Sequence, residues 1–340
     1  MAAGIAMRRA CLLSWTRGLL LAAALWSLNP GAFAAAIAPA DISLEATRVS
    51  ARCWFFEGKA GMATQANKGF MSNAGFVVTS DGIVVFDALG TPALGKAMLA
   101  AIRRISAAPI KFIVVSHYHA DHIYGLQSLK VPGAEVWAQR NAEAYLRSGV
   151  SAERLAQRRL ELAPWVDEHT HIVPPDVWID GDTDFRLGGV HFRLLYSGGA
   201  HSPEDLLMYV VDERVLFAGD LVFAGRLPFV GNADSNGWLN AIDKMNRLQP
   251  PPLVVIPGHG PASRKPERDF AVTRDYLVYL RETMGRAARE LEPFEDAYAK
   301  TDWSRFKDLP AFDAANRGNA YGTYLLLEQE ELDRGARQKP

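Results

Sequence analysis

The stretch of sequence that decides the fold is residues 117–122, His117-Tyr118-His119-Ala120-Asp121-His122, which follows the apolar run Phe112-Ile113-Val114-Val115. Three imidazoles and one carboxylate fall within these six residues. No single helix face presents all four side chains, so the chain is expected to turn sharply after the strand. Imidazole and carboxylate ligands at this density suit a borderline-soft divalent ion such as zinc. The stretch therefore predicts a metal site; the alternative is a polar loop whose histidines hydrogen-bond locally.

Three further candidate ligands follow other apolar, strand-like runs. His201 lies in a loop after one such run, Asp220 ends a second and His259 follows a third. Each is a weak signal alone, because an isolated histidine is more often a surface residue and an aspartate at a strand end is an ordinary cap. Their shared placement strengthens all three, since ligands of layered α/β folds gather just beyond strand ends. The remaining histidines are expected at the surface: His169, His171 and His191.

The rest of the chain has short strand patterns that alternate with helical ones, as in a layered α/β fold. Ala74 to Asp87 is typical of a hairpin, with Asp81-Gly82 between two β-rich runs. Thr91-Pro92 predicts a helix start, with threonine as the cap and proline in the first turn. The other helical stretches are Asn141 to Leu162, Trp238 to Leu248 and, after Pro266, an amphipathic region through Leu332. We expect this last region to be scaffold rather than a cap over the site or a surface for association.

The N-terminal residues have the features of an export signal. Arg8 and Arg9 form a positive region, Leu12 to Leu28 is largely apolar, and Ala32-Phe33-Ala34 offers the small residues that a signal peptidase reads. We therefore expect residues 1–34 to be a signal peptide and the mature protein to be periplasmic. The alternative is an N-terminal anchor that stays uncut, and the sequence leaves the choice between the Sec and twin-arginine routes open.

Composition narrows the class of partner. The 340 residues carry a formal net charge of −1 with no long basic run, which argues against a nucleic-acid-binding protein. No stretch after the N-terminal one approaches the length of a membrane span. Cys53 is the one cysteine outside the predicted signal, so no intramolecular disulfide is expected. The expected partner is a small-molecule substrate, and the sequence leaves the oligomeric state open.

With all seven candidate ligands present, the chain resembles the metallo-β-lactamase superfamily from Ala74 to Pro261. The resemblance implies a four-layer αββα sandwich with the metals between two sheets, here residues 50–265, followed by a helical C-terminal extension at 266–340. A pair of zinc ions is implied to hold a hydroxide that attacks a carbonyl carbon, with Asp121 as the catalytic residue that orients the hydroxide or moves its proton. The implied ligand sets are His117, His119 and His201 for one ion, Asp121, His122 and His259 for the other, and Asp220 as the bridge.

Asp220 narrows the branch of the family. The best-known broad-spectrum β-lactamases place a cysteine there, whereas an aspartate is similar to glyoxalase II-like thioesterases, lactonases and the phosphodiesterase branch. Residues 67–76, 200–205 and 316–321 also resemble exported SoxH-like proteins, described as zinc metallohydrolases of a quinoprotein relay system. We therefore expect an exported dinuclear zinc hydrolase acting on a thioester or lactone. The alternatives are a periplasmic β-lactam hydrolase, an iron-dependent persulfide oxygenase using part of the cage, and a non-catalytic binding module.

The sequence indicates the substrate pocket only weakly. For each candidate side chain, packing in the core or at the rim is at least as good an explanation, and a solvated position is the simpler expectation for Arg226. Asp87 is a candidate to hold a ligand imidazole through its free nitrogen. The pocket candidates are Trp54, Phe55, Phe56, Phe70 to Ser72, Tyr124 and Arg226 to Phe229.

Overall fold

The computed structural model describes residues 42–337, so the predicted signal peptide at residues 1–34 lies outside the described residues. Two β-sheets pack face to face, and helices cover the outer face of each sheet. The predicted four-layer αββα sandwich with a helical C-terminal region is confirmed. Between residues 42 and 337, no helix is both long enough and apolar enough to cross a membrane.

The first sheet has seven strands, which lie side by side in chain order: β1 (Thr47–Arg48), β2 (Cys53–Phe56), β3 (Ala74–Val78), β4 (Ile83–Phe86), β5 (Ile110–Val114), β6 (Glu135–Gln139) and β7 (Val177–Ile179). Strands β1 to β4 are antiparallel, and β4 to β7 are parallel. The predicted hairpin is confirmed, because Val78 pairs with Ile83 across the Asp81-Gly82 turn. Residues 117–122 leave this sheet just after the end of β5.

The second sheet has five strands, in the spatial order β12 (Val254–His259), β11 (Val215–Phe223), β10 (Leu206–Val210), β9 (Val190–Tyr196) and β8 (Thr183–Leu187). Strands β11 and β12 are parallel, and the other neighbours are antiparallel. Asp220 and His259 lie within β11 and β12 rather than beyond their ends. The register of β11 shifts at Gly219, where φ is 52°, and an irregularity of this kind re-aims the side chain that follows it.

The described residues form nine helices: α1 (Pro92–Ile105), α2 (Ala120–Ile123), α3 (Leu126–Leu129), α4 (Ala142–Arg147), α5 (Gly149–Leu162), α6 (Ser235–Asn246), α7 (Pro266–Arg289), α8 (Phe294–Lys300) and α9 (Phe312–Arg337). The predicted start of α1 is confirmed, because Thr91 Oγ1 accepts from Leu94 N at 3.2 Å. The single helix expected from Asn141 to Leu162 is two helices. Ser148 has extended backbone, with ψ of 156°, and this interrupts the helix.

Apolar side chains fill three layers between these elements. The layer between the sheets contains Val84, Phe86 and Phe217, together with Cys53, which is fully buried. Helices α1 and α3 pack on the outer face of the first sheet. Helices α6, α7 and α9 cover the second sheet. The candidate ligands therefore project from the edge of a rigid sandwich.

Candidate metal centre

The structure brings all seven candidate ligands together at one edge of the sandwich. They form two adjoining groups, and within each group one ligand atom from every residue lies within 4.8 Å of the others. Asp220 lies between the groups: its carboxylate oxygens are 3.2 Å from His122 Nε2 and 3.4 Å from His201 Nε2. The first group is His117, His119, His201 and Asp220, and the second is Asp121, His122 and His259.

Several of these side chains have a polar atom that is buried and makes no hydrogen bond. These atoms are His117 Nε2, His122 Nε2, Asp121 Oδ2 and Asp220 Oδ1. An unpaired buried polar atom is costly, so native structures almost always provide a partner. Imidazole nitrogens and carboxylate oxygens converging in this way are the ligand set of zinc and similar divalent ions. The residues therefore fit a bound cation in each group.

The opposite nitrogens of the imidazoles are held by the surrounding protein. His122 Nδ1 lies 2.8 Å from Asp87 Oδ2, and His259 Nδ1 lies 2.8 Å from the backbone oxygen of Met71. His201 Nδ1 lies 3.0 Å from a further backbone oxygen. Each of these oxygens accepts a hydrogen bond from Nδ1–H, so Nε2 is the nitrogen directed into the cage. Outer contacts of this kind fix the tautomer and orientation of metal-binding histidines.

Asp87 organises two of the histidines at once. Its carboxylate accepts from the backbone N of Ser116 at 2.7 Å, from Ser116 Oγ at 2.8 Å and from His122 Nδ1. Ser116 Oγ lies 2.9 Å from His117 Nδ1 and relays the contact to that ring. Burial raises the pKa of Asp87, and the neighbouring His122 opposes this rise. The sequence indicates Asp87 but not Ser116, because a serine after a strand carries no distinguishing signal.

Two residues before β3 tie the ligand segments to each other. Ser72 Oγ donates to the backbone oxygen of Asp121 at 2.5 Å. Asn73 Nδ2 donates to the backbone oxygens of Pro257 at 2.8 Å and Gly260 at 2.7 Å, on either side of His259. Both side chains are buried. The segment at 72–73 thus fixes the turn after β5 relative to the end of β12.

The helical C-terminal region also supports the cage. Asn319 of α9 is fully buried, accepts from Val230 N at 2.8 Å and donates to the Pro228 backbone oxygen at 2.7 Å. Between these two positions lies Phe229, whose backbone oxygen is the acceptor for His201 Nδ1. Helix α9 therefore positions a candidate ligand through one loop. This agrees with the expectation that the C-terminal region is scaffold.

The charges of the cage are strongly coupled. Burial disfavours a charged His122, but the carboxylates of Asp220, Asp121 and Asp87 outweigh burial and hold its pKa well above the usual range. The pKa of Asp220 lies well below its usual value. Burial raises this pKa, but the nearby His259 and His122 lower it by more. Burial lowers the pKa of His119 to about 3. Burial lowers the pKa of His259, but Asp220 and Asp121 outweigh burial and raise it, so a bound cation would compete with protons for these rings.

Two neighbouring cavities, which share lining residues, lie at the cage. A cleft of about 1020 Å³ shares His119, Arg154 and Phe229 with a smaller cavity of about 50 Å³ at the ligands. The cavity is also lined by Asp121, Asp220, His259, Met62, Met71, Ala120, Arg158 and Arg226.

Some pocket candidates from the sequence line this cavity and others do not. Met71 and Phe229 line it. The expectation that Arg226 is solvated is wrong: the side chain is 1% exposed, and its Nη1 donates to the Gly61 backbone oxygen at 2.7 Å. Trp54 lies in β2 and stacks on Phe76 with ring centroids 5.4 Å apart, so residues 54–56 are sheet packing rather than a loop over the cleft.

The histidines that were expected outside the site are indeed apart from it. His169 and His171 are exposed. His191 lies on β9, where its Nε2 is 2.7 Å from Asp184 Oδ1. Tyr124 is fully buried and its hydroxyl has no hydrogen-bond partner among the described residues, yet it does not line the cavity.

Comparison with known proteins adds an independent line of support. The family model of the metallo-beta-lactamase superfamily matches residues 67–259. The linear primary-alkylsulfatase of Pseudomonas sp. (strain ATCC 19151) is 26% identical over 234 residues, which are 59% of this chain and 44% of that protein. The chain thus spans less than half the length of this relative. The probable metallo-hydrolase YqgX of Bacillus subtilis (strain 168) is 26% identical over 213 residues, 62% of this chain and 92% of that protein.

Solved structures share the fold. A metallo-beta-lactamase from Pontibacter korlensis superposes with a TM-score of 0.55 at 25% identity, covering 69% of this chain and 99% of that one. The sec-alkylsulfatase Pisa1 from Pseudomonas sp. superposes with a TM-score of 0.66 at 17% identity, covering 83% of this chain and 50% of that one.

Proposed function

The chain belongs to the metallo-beta-lactamase superfamily, and from this premise we propose that it is an exported dinuclear zinc hydrolase that cleaves an ester-like carbonyl of the thioester or lactone class. The observation that carries the proposal is the position of Asp220 between two groups of buried, unpartnered ligand atoms. The carboxylate of Asp220 faces histidines of both groups, with His201 Nε2 at 3.4 Å and His122 Nε2 at 3.2 Å, so it would be available to an ion in either group. Metallo-hydrolase relatives support an enzyme of this kind.

Each residue of the cage has a role in this proposal. His117, His119 and His201 would hold one ion, Asp121, His122 and His259 would hold the other, and Asp220 lies where it could serve both groups. When bound, the ions supply an activated water nucleophile near neutral pH and polarise the carbonyl oxygen. The protein holds the imidazoles in one orientation through Asp87, Met71 and Phe229.

Asp121 is the catalytic residue of the proposal. One oxygen, Oδ2, is buried without a hydrogen-bond partner, and the side chain lines the small cavity where a substrate carbonyl would enter. Its pKa is well below the usual range: burial raises it, but His122 and His259 outweigh burial. A carboxylate that stays ionised in a buried site can accept a hydrogen bond from the attacking water and orient it.

Other substrate classes remain candidates within the same chemistry. The primary-alkylsulfatase relative favours an alkyl sulfate ester as the second candidate, since the buried Arg226 places a cation at the cavity. The β-lactamases among the relatives suggest a β-lactam as a further candidate substrate. Asp220 argues against it, because the broad-spectrum enzymes have a cysteine at that position. One panel of substrates separates these classes.

The test is hydrolysis by zinc-loaded protein across matched thioesters, lactones, alkyl sulfates, β-lactams and phosphodiesters. We expect the carbonyl esters to turn over fastest, and Asp121→Asn to lower kcat by about 10²–10⁴-fold. Asp184→Asn is the matched control, because Asp184 also contacts a histidine but lies at the surface. No metal-dependent turnover of any class would show a binding module instead. Bound iron with oxygen consumption on a persulfide would favour the oxygenase.

Export is a separate part of the proposal. It is supported by the positive, apolar and small-residue regions at residues 1–34. Fractionation of cells that express the full chain should place the protein in the periplasm, with a mature N-terminus close to Ala35. Retention of residues 1–34 in membranes would indicate an uncut anchor.

A further inference from the structure

Arg154 occupies the junction between the cleft and the metal cavity. The residue belongs to α5, is half-buried, and lines both the cleft of about 1020 Å³ and the cavity of about 50 Å³ at the ligands. A substrate that reaches the cage from the cleft would therefore come close to Arg154. This makes Arg154 a candidate for substrate recognition.

Three other arginines that line this space are already paired. Arg147 pairs with Glu143 at 2.6 Å and Arg158 with Glu161 at 2.7 Å, and Arg140 pairs with Asp180. Arg154 forms no ion pair and no side-chain hydrogen bond with the residues that the structure describes between 42 and 337. A guanidinium group has five N–H donors, and one left free at a binding cleft is available to a ligand.

The nearby carboxylates do not neutralise Arg154. Asp121 and Asp220 are directed at histidines of the cage, with His259 Nε2 3.3 Å from an oxygen of each. Glu204 lines the cleft, but its Oε1 accepts from Tyr118 N at 3.2 Å, and burial raises its pKa.

A second arginine, Arg226, lines the same cavity. Arg226 is 1% exposed, and its Nε is buried without a hydrogen-bond partner. Its Nη1 is occupied by the Gly61 backbone oxygen, so only part of its donor set is used. A buried cation with an unused donor is costly unless a ligand completes its contacts. Nη1 also lies 3.3 Å from His259 Nδ1, and Nη2 lies 3.9 Å from Met62 Sδ. Two guanidinium groups without an ion-pair partner among the described residues thus line the cavity.

We propose that Arg154, with Arg226 on the lining of the same cavity, forms an anion subsite that selects substrates carrying a carboxylate close to the scissile bond. This inference rests on the proposed hydrolase function and narrows its substrate class to acidic esters, thioesters or lactones. Arg154 binds the carboxylate as the substrate enters. The planar guanidinium group matches the two carboxylate oxygens, which a lysine does less well.

The test uses binding rather than turnover, so that it does not depend on the reaction. The probes are mercaptopropionate and propanethiol, which share a thiol that binds the metal and differ in the carboxylate. Their dissociation constants are measured by calorimetry on the zinc-loaded protein. We expect Arg154→Ala to reduce the preference for the acid by about ten- to hundredfold, the value of one charge-assisted contact. Any part of the preference that comes from chelation of zinc by the carboxylate persists in Arg154→Ala, so the comparison separates it from the contribution of Arg154.

Matched variants complete the design. Arg147→Ala should keep the wild-type preference, because Arg147 lines the same cleft but is paired with Glu143. Arg154→Lys should retain part of it. An unchanged preference in both Arg154 variants, each verified as folded by circular dichroism, would overturn the subsite. If the substrate panel shows no hydrolysis but the preference depends on Arg154, the subsite stands and the hydrolase function fails.

Discussion

Replacing Asp87 with asparagine tests how the protein holds the cage. In the native protein the carboxylate accepts three hydrogen bonds, from Ser116 N, Ser116 Oγ and His122 Nδ1. An asparagine oxygen can still accept from the backbone N, but its NH₂ group then faces the two other donors. Each lost bond to a buried charged group is worth about 1.5–3 kcal/mol. The free energy of unfolding should therefore fall by about 3 kcal/mol or more.

The more specific effect of Asp87→Asn is on metal affinity. His122 and His117 lose the contacts that orient them, and removal of such an outer partner typically weakens metal binding by about 10–100-fold. Competition with a chromophoric chelator measures this directly on protein that circular dichroism shows to be folded. Ser116→Ala, which leaves the His122 contact intact, should have a smaller effect. Zinc affinity within about threefold of the wild type in Asp87→Asn would refute this account of the cage.

Three other outcomes follow from the geometry. Gly258→Ala should lower the free energy of unfolding by about 1–3 kcal/mol and weaken metal loading, because its Cβ would lie 2.0 Å from Asp220 Oδ1. Gly199→Ala, with no atom within 4 Å of the added Cβ, should be neutral in the same chemical denaturation. Zinc binding should release protons and weaken as pH falls, because the raised pKa of His122 keeps that ring protonated in the metal-free protein. Calorimetry in buffers of different ionisation enthalpy measures the number of protons released. Zinc binding without proton release would contradict this link between metal binding and protonation. Cys53, buried and with its pKa raised to about 12, should resist thiol reagents until the protein unfolds, whereas fast labelling in the folded state would contradict this burial.

The hairpin and the ligand-rich segment could be predicted because their signals are local, whereas the four-layer sandwich and the two ligand sets were implied by the family resemblance. The segment 117–122 is dense in ligand types, and the hairpin turn at Asp81-Gly82 has a strong sequence signature. The strand-end argument also led to the right neighbourhood for Asp220 and His259, although both lie inside their strands. An irregularity at Gly219 depends on pairing with a distant strand, so a single run of sequence does not show it.

The surroundings of the site could not be predicted because they depend on contacts between distant parts of the chain. Ser116 and Asn319 are ordinary polar residues in the sequence, and only the folded arrangement joins them to His117 and the loop at Phe229. Arg226 is the clearest case. Composition favours a solvated arginine, whereas the structure buries it at the cavity.

The central claim, that the seven side chains hold a pair of zinc ions bridged by Asp220, is tested most directly by the metal content of protein purified without added metal. Mass-spectrometric metal analysis, normalised to protein concentration, should give about two zinc ions per chain. The Asp220→Ala variant should lose at least one of them. One iron per chain in the wild type, or full zinc loading in Asp220→Ala, would contradict the claim.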